Sequence, residues 1–121
     1  MIKKKLTVYD LKKLKGKRQI SEVFVNNEEE AIAAEEAGID IITAAYGMPQ
    51  FGFNATLDDM KRIRKSCPNS HLMSAPPIFS YASSYEVIKA SYSLLSIGID
   101  SVYTANSCKW IKDMTDEKIP V

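Results

Sequence analysis

Two cysteines, one histidine, one tryptophan and five glycines are all that 121 residues contain. Each shortage closes a route to function. Cys67 and Cys108 are too far apart in sequence for a close metal-type pair, and their number suits two separate thiols in a reducing compartment. The few glycines form neither a GxGxxG fingerprint nor a phosphate-binding loop. No apolar run approaches the roughly 18 residues of a membrane span, and the N-terminus lacks a signal-peptide core, so a cytoplasmic location is expected. The net charge of +1 argues against nucleic acid or an anionic membrane as partner.

A hydrophobic content of 45% allows a packed core within one modest domain. The charges are sharply segregated. Residues 3–18 carry eight basic side chains, whereas residues 19–60 carry nine acids and no Lys or Arg. The basic arm is expected to be solvated surface.

Apolar and turn signals alternate along the chain. Residues 19–25 (QISEVFV) suit a short strand, and a helix follows, capped at Asn26 or Asn27 and closed by Gly38. Residues 39–45 make the next strand. After a Gly/Pro loop (46–55), a helix starts at Thr56, where Asp59 completes a capping box, and stops at Pro68. A third strand covers 70–75. The helix over 83–98 has Ser83 and Glu86 as its capping box and Val87, Ile88, Leu94, Leu95 and Ile97 as its apolar side. Residues 99–105 form a fourth strand, 108–114 a short helix, and 119–121 the start of a fifth strand.

Strand–helix alternation of this kind predicts an α/β fold with parallel strands and helical crossovers. The phrase Gly-Ile-Asp occurs at 38–40 and again at 98–100, marking the rhythm. A small open doubly wound sheet fits, as does the first half of a (βα)8 barrel, whose usual size of about 250 residues is twice this length.

The segments TVYDLKKLKGKRQI (7–20), EEAGID (35–40), TLDDM (56–60), CPNS (67–70), PIFSY (77–81) and GIDSV (98–102) appear in order. Together they resemble the N-terminal half of the ketopantoate hydroxymethyltransferase (3-methyl-2-oxobutanoate hydroxymethyltransferase) family, over nearly the whole chain. The resemblance implies a TIM barrel of the phosphoenolpyruvate mutase/isocitrate lyase superfamily. In it, residues 1–121 form one (βα)4 half-barrel of a longer, oligomeric enzyme, or pair with a second half-barrel. It also implies one-carbon transfer from methylenetetrahydrofolate to a small 2-oxo acid in pantothenate biosynthesis, with Mg²⁺ holding the 2-oxo acid as an enolate.

In that family, carboxylates at the ends of strands two, three and four serve the metal. The matching positions are Ala45 or Tyr46, Ala75 and Ala105, and the first strand ends in Phe24–Asn27. No metal ligand carries over. Tyr46, Ser74, Thr104 and Asn106 lie at or beside strand ends and are the candidates to hydrogen-bond a substrate carboxylate or carbonyl. His71, at the opposite end of its strand, and Cys67 are expected to be structural. Cys108 lacks a basic partner that would make it a nucleophile. Tyr81, Tyr85, Tyr92 and Tyr103 suit packing rather than an aromatic box. A non-catalytic homologue that binds a small acid or an active partner, and a divergent carbon–carbon lyase, are the alternative functions.

Overall fold

The computed structural model describes residues 4–44, 52 and 55–121. Its elements are α1 (Val8–Leu14), β1 (Glu22–Phe24), α2 (Glu28–Glu36), β2 (Ile41–Thr43), α3 (Leu57–Ser66), β3 (His71–Ser74), α4 (Ser84–Ser96), β4 (Ser101–Val102) and α5 (Cys108–Asp116). Every helix starts on a side chain that accepts a backbone N–H: Thr7, Asn27, Thr56, Ser83 and Ser107. Thr56–Asp59 and Ser83–Glu86 close the expected reciprocal boxes. Thr7 and Asp10 form a third, which makes a helix of residues expected to be a basic arm.

The four strands are parallel and ordered β1-β2-β3-β4. Glu22 pairs with Ile41, Ile41 with His71, and Met73 with Ser101. This is the architecture of half a TIM barrel, and it fits the predicted fold class. Beyond β4, the Val102 N–H donates to the Pro120 carbonyl at 2.8 Å, so residues 119–121 run alongside β4 where a fifth strand was expected.

Side chains alternate across a strand, so one set of positions meets the helices. Ile42, Leu72 and Val102 fill that face and pack with Met60, Ile63, Val87, Leu94 and Met114, all essentially inaccessible. Cys67 belongs to this core, its thiol donating to the Ile63 carbonyl. Ile88, Leu95 and Ile97 sit at its margin.

The repeated Gly-Ile-Asp is one structural device used twice. At the end of α2, Gly38 adopts φ +80°, its N–H donates to Glu35 O, and Ile39 N–H donates to Ala34 O. At the end of α4, Gly98 adopts φ +96° and the same bonds run to Leu95 O and Leu94 O. This left-handed turn satisfies the last helical carbonyls. The aspartate that follows then ties down the neighbouring strand. Asp40 accepts from the backbone and hydroxyl of Ser21 and from both terminal nitrogens of Arg18 at 2.8–2.9 Å. Asp100 accepts from Leu72 N–H, Arg64 and Lys5. The Arg18 hydrogen bonds, reinforced by Ser21, hold the Asp40 carboxyl well below the usual carboxylate range. A third turn, after α5, keeps the geometry with other residues: Lys118 sits at φ +64° and Ile119 N–H donates to Met114 O.

Candidate functional site

The face of the sheet away from the helices is concave and only partly covered. Glu22, Phe24, Thr43, His71, Met73, Ser101 and Tyr103 alternate onto it, and three contacts fix their arrangement. Thr43 Oγ1 donates to Glu22 Oε1 at 2.6 Å. His71 Nε2 and Ser101 Oγ are 2.7 Å apart. The Phe24 and Tyr103 rings meet edge-on at 6.3 Å and 83°, although their strands are the first and the last of the four. That contact measures how strongly the sheet curls.

His71 occupies the strand-entry end of this face. It is buried, and Nδ1 lies 2.8 Å from the Leu6 carbonyl. A carbonyl only accepts, so Nδ1 carries a proton, and Nε2 and the Ser101 hydroxyl share the ring's second hydrogen bond. The histidine is the structural pin expected from its position, and the segment before α1 is what it pins.

The predicted site residues divide. Thr104 and Asn106 are brought together just past β4: Thr104 Oγ1 accepts from the Asn106 backbone at 3.1 Å and from its side-chain amide at 2.6 Å. Both line a cavity of about 30 Å³ with Ala75, Pro76, Ile78, Tyr103 and Ala105, room for about one water. Ser74 is apart from them. It is fully buried two positions beyond Leu72, and its hydroxyl donates to Ala44 O at 2.6 Å. Tyr46 lies outside the described residues. Cys108 opens α5 and is exposed. Tyr85 and Tyr92 are on the surface, and Tyr81 packs against the core.

Sequence reasoning passed over Glu22 and assigned Tyr103 to packing. Counting alternate positions from the apolar Ile42, Leu72 and Val102 would have placed both on the concave face. Tyr103 is half-buried; that burial, and secondarily the negative charge of Glu22, push its hydroxyl pKa up.

The residues present at the strand ends do not fit a magnesium ion, which requires carboxylate, carbonyl or water oxygens in octahedral array. Ala75 and Ala105 present methyl groups there, and the strand-two position, Ala45 or Tyr46, lies outside the described residues. Asp59, at the start of α3, is engaged by Thr56 and Arg62. Among the described residues no three His, Cys, Asp or Glu side chains converge on one point.

A parallel α/β half-barrel with polar residues past the strand ends defines the class: half of a TIM-barrel scaffold. No protein-family model matches the chain. Its homologues among curated proteins are named 3-methyl-2-oxobutanoate hydroxymethyltransferase. The one from Kosmotoga olearia is 31% identical, over 88% of this chain and 45% of its own length. Those from Thermosipho melanesiensis and Aeropyrum pernix are each 28% identical, over 96% and 97% of this chain and 49% and 48% of theirs. The chain spans about half the length of the relatives it matches, consistent with the N-terminal half that the motifs indicate.

Proposed function

We propose that the chain is the N-terminal half of a hydroxymethyltransferase-type barrel that takes a small 2-oxo acid at the C-terminal ends of its strands and adds to it a one-carbon unit from a folate. The observation that carries this is alignment along nearly the whole chain with proteins named for 3-methyl-2-oxobutanoate. The position of Thr104 and Asn106 past β4 supports it, because ligands of parallel α/β proteins bind at that end.

The test is a titration of the isotope-labelled protein with 3-methyl-2-oxobutanoate, followed by amide NMR in the presence of a chelator. Shifts at Tyr103, Thr104 and Asn106 are expected. An unchanged spectrum at millimolar ligand would refute 2-oxo acid binding. The alanines at the strand ends favour a second reading, a scaffold that binds the acid without transforming it; binding without turnover of the folate donor would establish it.

A further inference from the structure

We propose that a groove on the strand-exit side, between the start of α3 and α4, seats the one-carbon donor, with the donor's flat ring against Tyr85 and Phe79 and its anionic tail on Lys89; this rests on the reading above. The groove measures about 560 Å³, a size at which proteins hold cofactor-sized ligands. Leu57 and Tyr81 give it apolar walls. Along α4, Tyr85, Lys89 and Ser93 follow at four-residue intervals and so share one helix face, and the small Ala90 leaves room beside them.

Packing within the chain does not account for three features of this rim. Tyr85 is 72% exposed, so it is not the packing residue that its sequence suggests. Phe79 adopts φ +62°, a strained conformation for a bulky residue, and it is 87% exposed, so no packing offsets the strain. Lys89 makes no ion pair among the described residues, whereas Lys61, Lys109 and Lys112 on the flanking helices each hold an aspartate. Exposed aromatic rings stack on flat heterocycles, and a free ammonium beside them attracts a carboxylate. A folate carries both groups, a fused heterocycle and a glutamate tail. Glu86 uses Oε2 to accept from the Ala82 and Ser83 backbone, which leaves Oε1 to accept from N–H groups on the heterocycle.

The groove adjoins the proposed seat of the acid. Ile78 lines the small cavity with Thr104 and Asn106, and Ser80 lines the groove. Two residues of chain span no more than about 7 Å. One loop therefore walls both seats, as transfer of a carbon between two bound molecules requires.

The experiment is an amide NMR titration of the labelled 121-residue chain with 5-formyltetrahydrofolate, a stable reduced folate, and separately with 3-methyl-2-oxobutanoate. The folate should shift Ser80, Tyr85, Lys89 and Ala90, and the acid Thr104 and Asn106. Lys89→Glu and Tyr85→Ala should each weaken folate binding about tenfold or more and leave acid binding unchanged. Phe79→Gly should resist urea better than the parent yet bind the folate more weakly, a combination that a purely structural role would not give. Circular dichroism checks that each variant is folded. Folate binding undiminished in Lys89→Glu and Tyr85→Ala, or no folate shift at millimolar concentration, would overturn the groove; acid shifts at Thr104 and Asn106 would then leave the 2-oxo acid reading standing. Silence toward both ligands would overturn the two together.

Discussion

Three turns of the same shape, with glycine in two and lysine in the third, provide an internal stability test. In Gly38→Ala a new Cβ meets nothing within 4 Å, so the variant registers only the strain of an L-residue at φ +80°. That strain is about 1–2 kcal/mol. In Gly98→Ala the φ is +96°, and the Cβ falls 3.0 Å from Arg64 Cδ and 3.1 Å from Cγ. Arg64 cannot withdraw freely. Its guanidinium donates to Gly98 O at 3.3 Å, Asp100 Oδ2 at 2.8 Å and Ser70 O at 2.9 Å, and also to Cys67 O. Displacing it disturbs at least one charge-assisted bond, a further cost of about 1–3 kcal/mol. Lys118→Gly runs the other way: it relieves strain at φ +64° and should stabilise by about 1 kcal/mol. Urea unfolding of the three variants and the parent, with m-values compared, measures all of this. Equal losses for Gly38→Ala and Gly98→Ala would refute the energetic role given to Arg64. A destabilised Lys118→Gly would refute the equivalence of the turns.

Asp40→Asn should cost about 2–3 kcal/mol near neutral pH, since a nearly buried carboxylate holding four hydrogen bonds is replaced by a neutral amide with one acceptor oxygen, its NH2 unable to accept from Arg18 or Ser21. Because folding lowers the pKa of Asp40, its contribution is complete above the unfolded value of about 4 and is lost as pH falls through the folded one. Acid titration of stability should therefore be shallower in Asp40→Asn than in the parent, and parallel titrations would contradict the assignment. His71→Ala should release the segment around Leu6, cost about 2 kcal/mol and speed tryptic cleavage near Lys4 and Lys5. Unchanged cleavage would show that the histidine is not the pin. Cys108 should react with a thiol reagent in the native protein and Cys67 only on unfolding, as thiol counting with and without denaturant would read.

The parallel sheet and four of the five helices were legible because periodicity, caps and terminating glycines agree at those places. The first helix was not, although Thr7 and Asp10 repeat the spacing of Thr56 and Asp59. Its lysine-rich surface, with no buried residue, hides the apolar stripe by which helices are recognised. The strands are shorter than their apolar runs: residues 99–105 read as a strand, but ladder pairing covers Ser101–Val102. Thr104 and Asn106 were locatable because strand ends follow from the alternation. The alternation also puts Ser74 on the helix-facing side with Leu72, where its hydroxyl is buried against Ala44 O. The His71–Leu6 contact joins positions 65 apart in sequence and has no local signature.

The two Gly-Ile-Asp turns, with the Asp40, Asp100, Arg18 and Arg64 network, all lie where the chain enters its strands. The candidate ligand residues lie where it leaves them. Anchoring and chemistry are thus assigned to opposite ends of the same short strands. An exposed exit position such as Ala105 is consequently open to wholesale replacement. A library randomised there should yield mostly folded proteins, whereas the same library at Gly98, Asp100 and Arg64 should yield few. Such a scaffold can lose one chemistry and acquire another without passing through an unfolded ancestor.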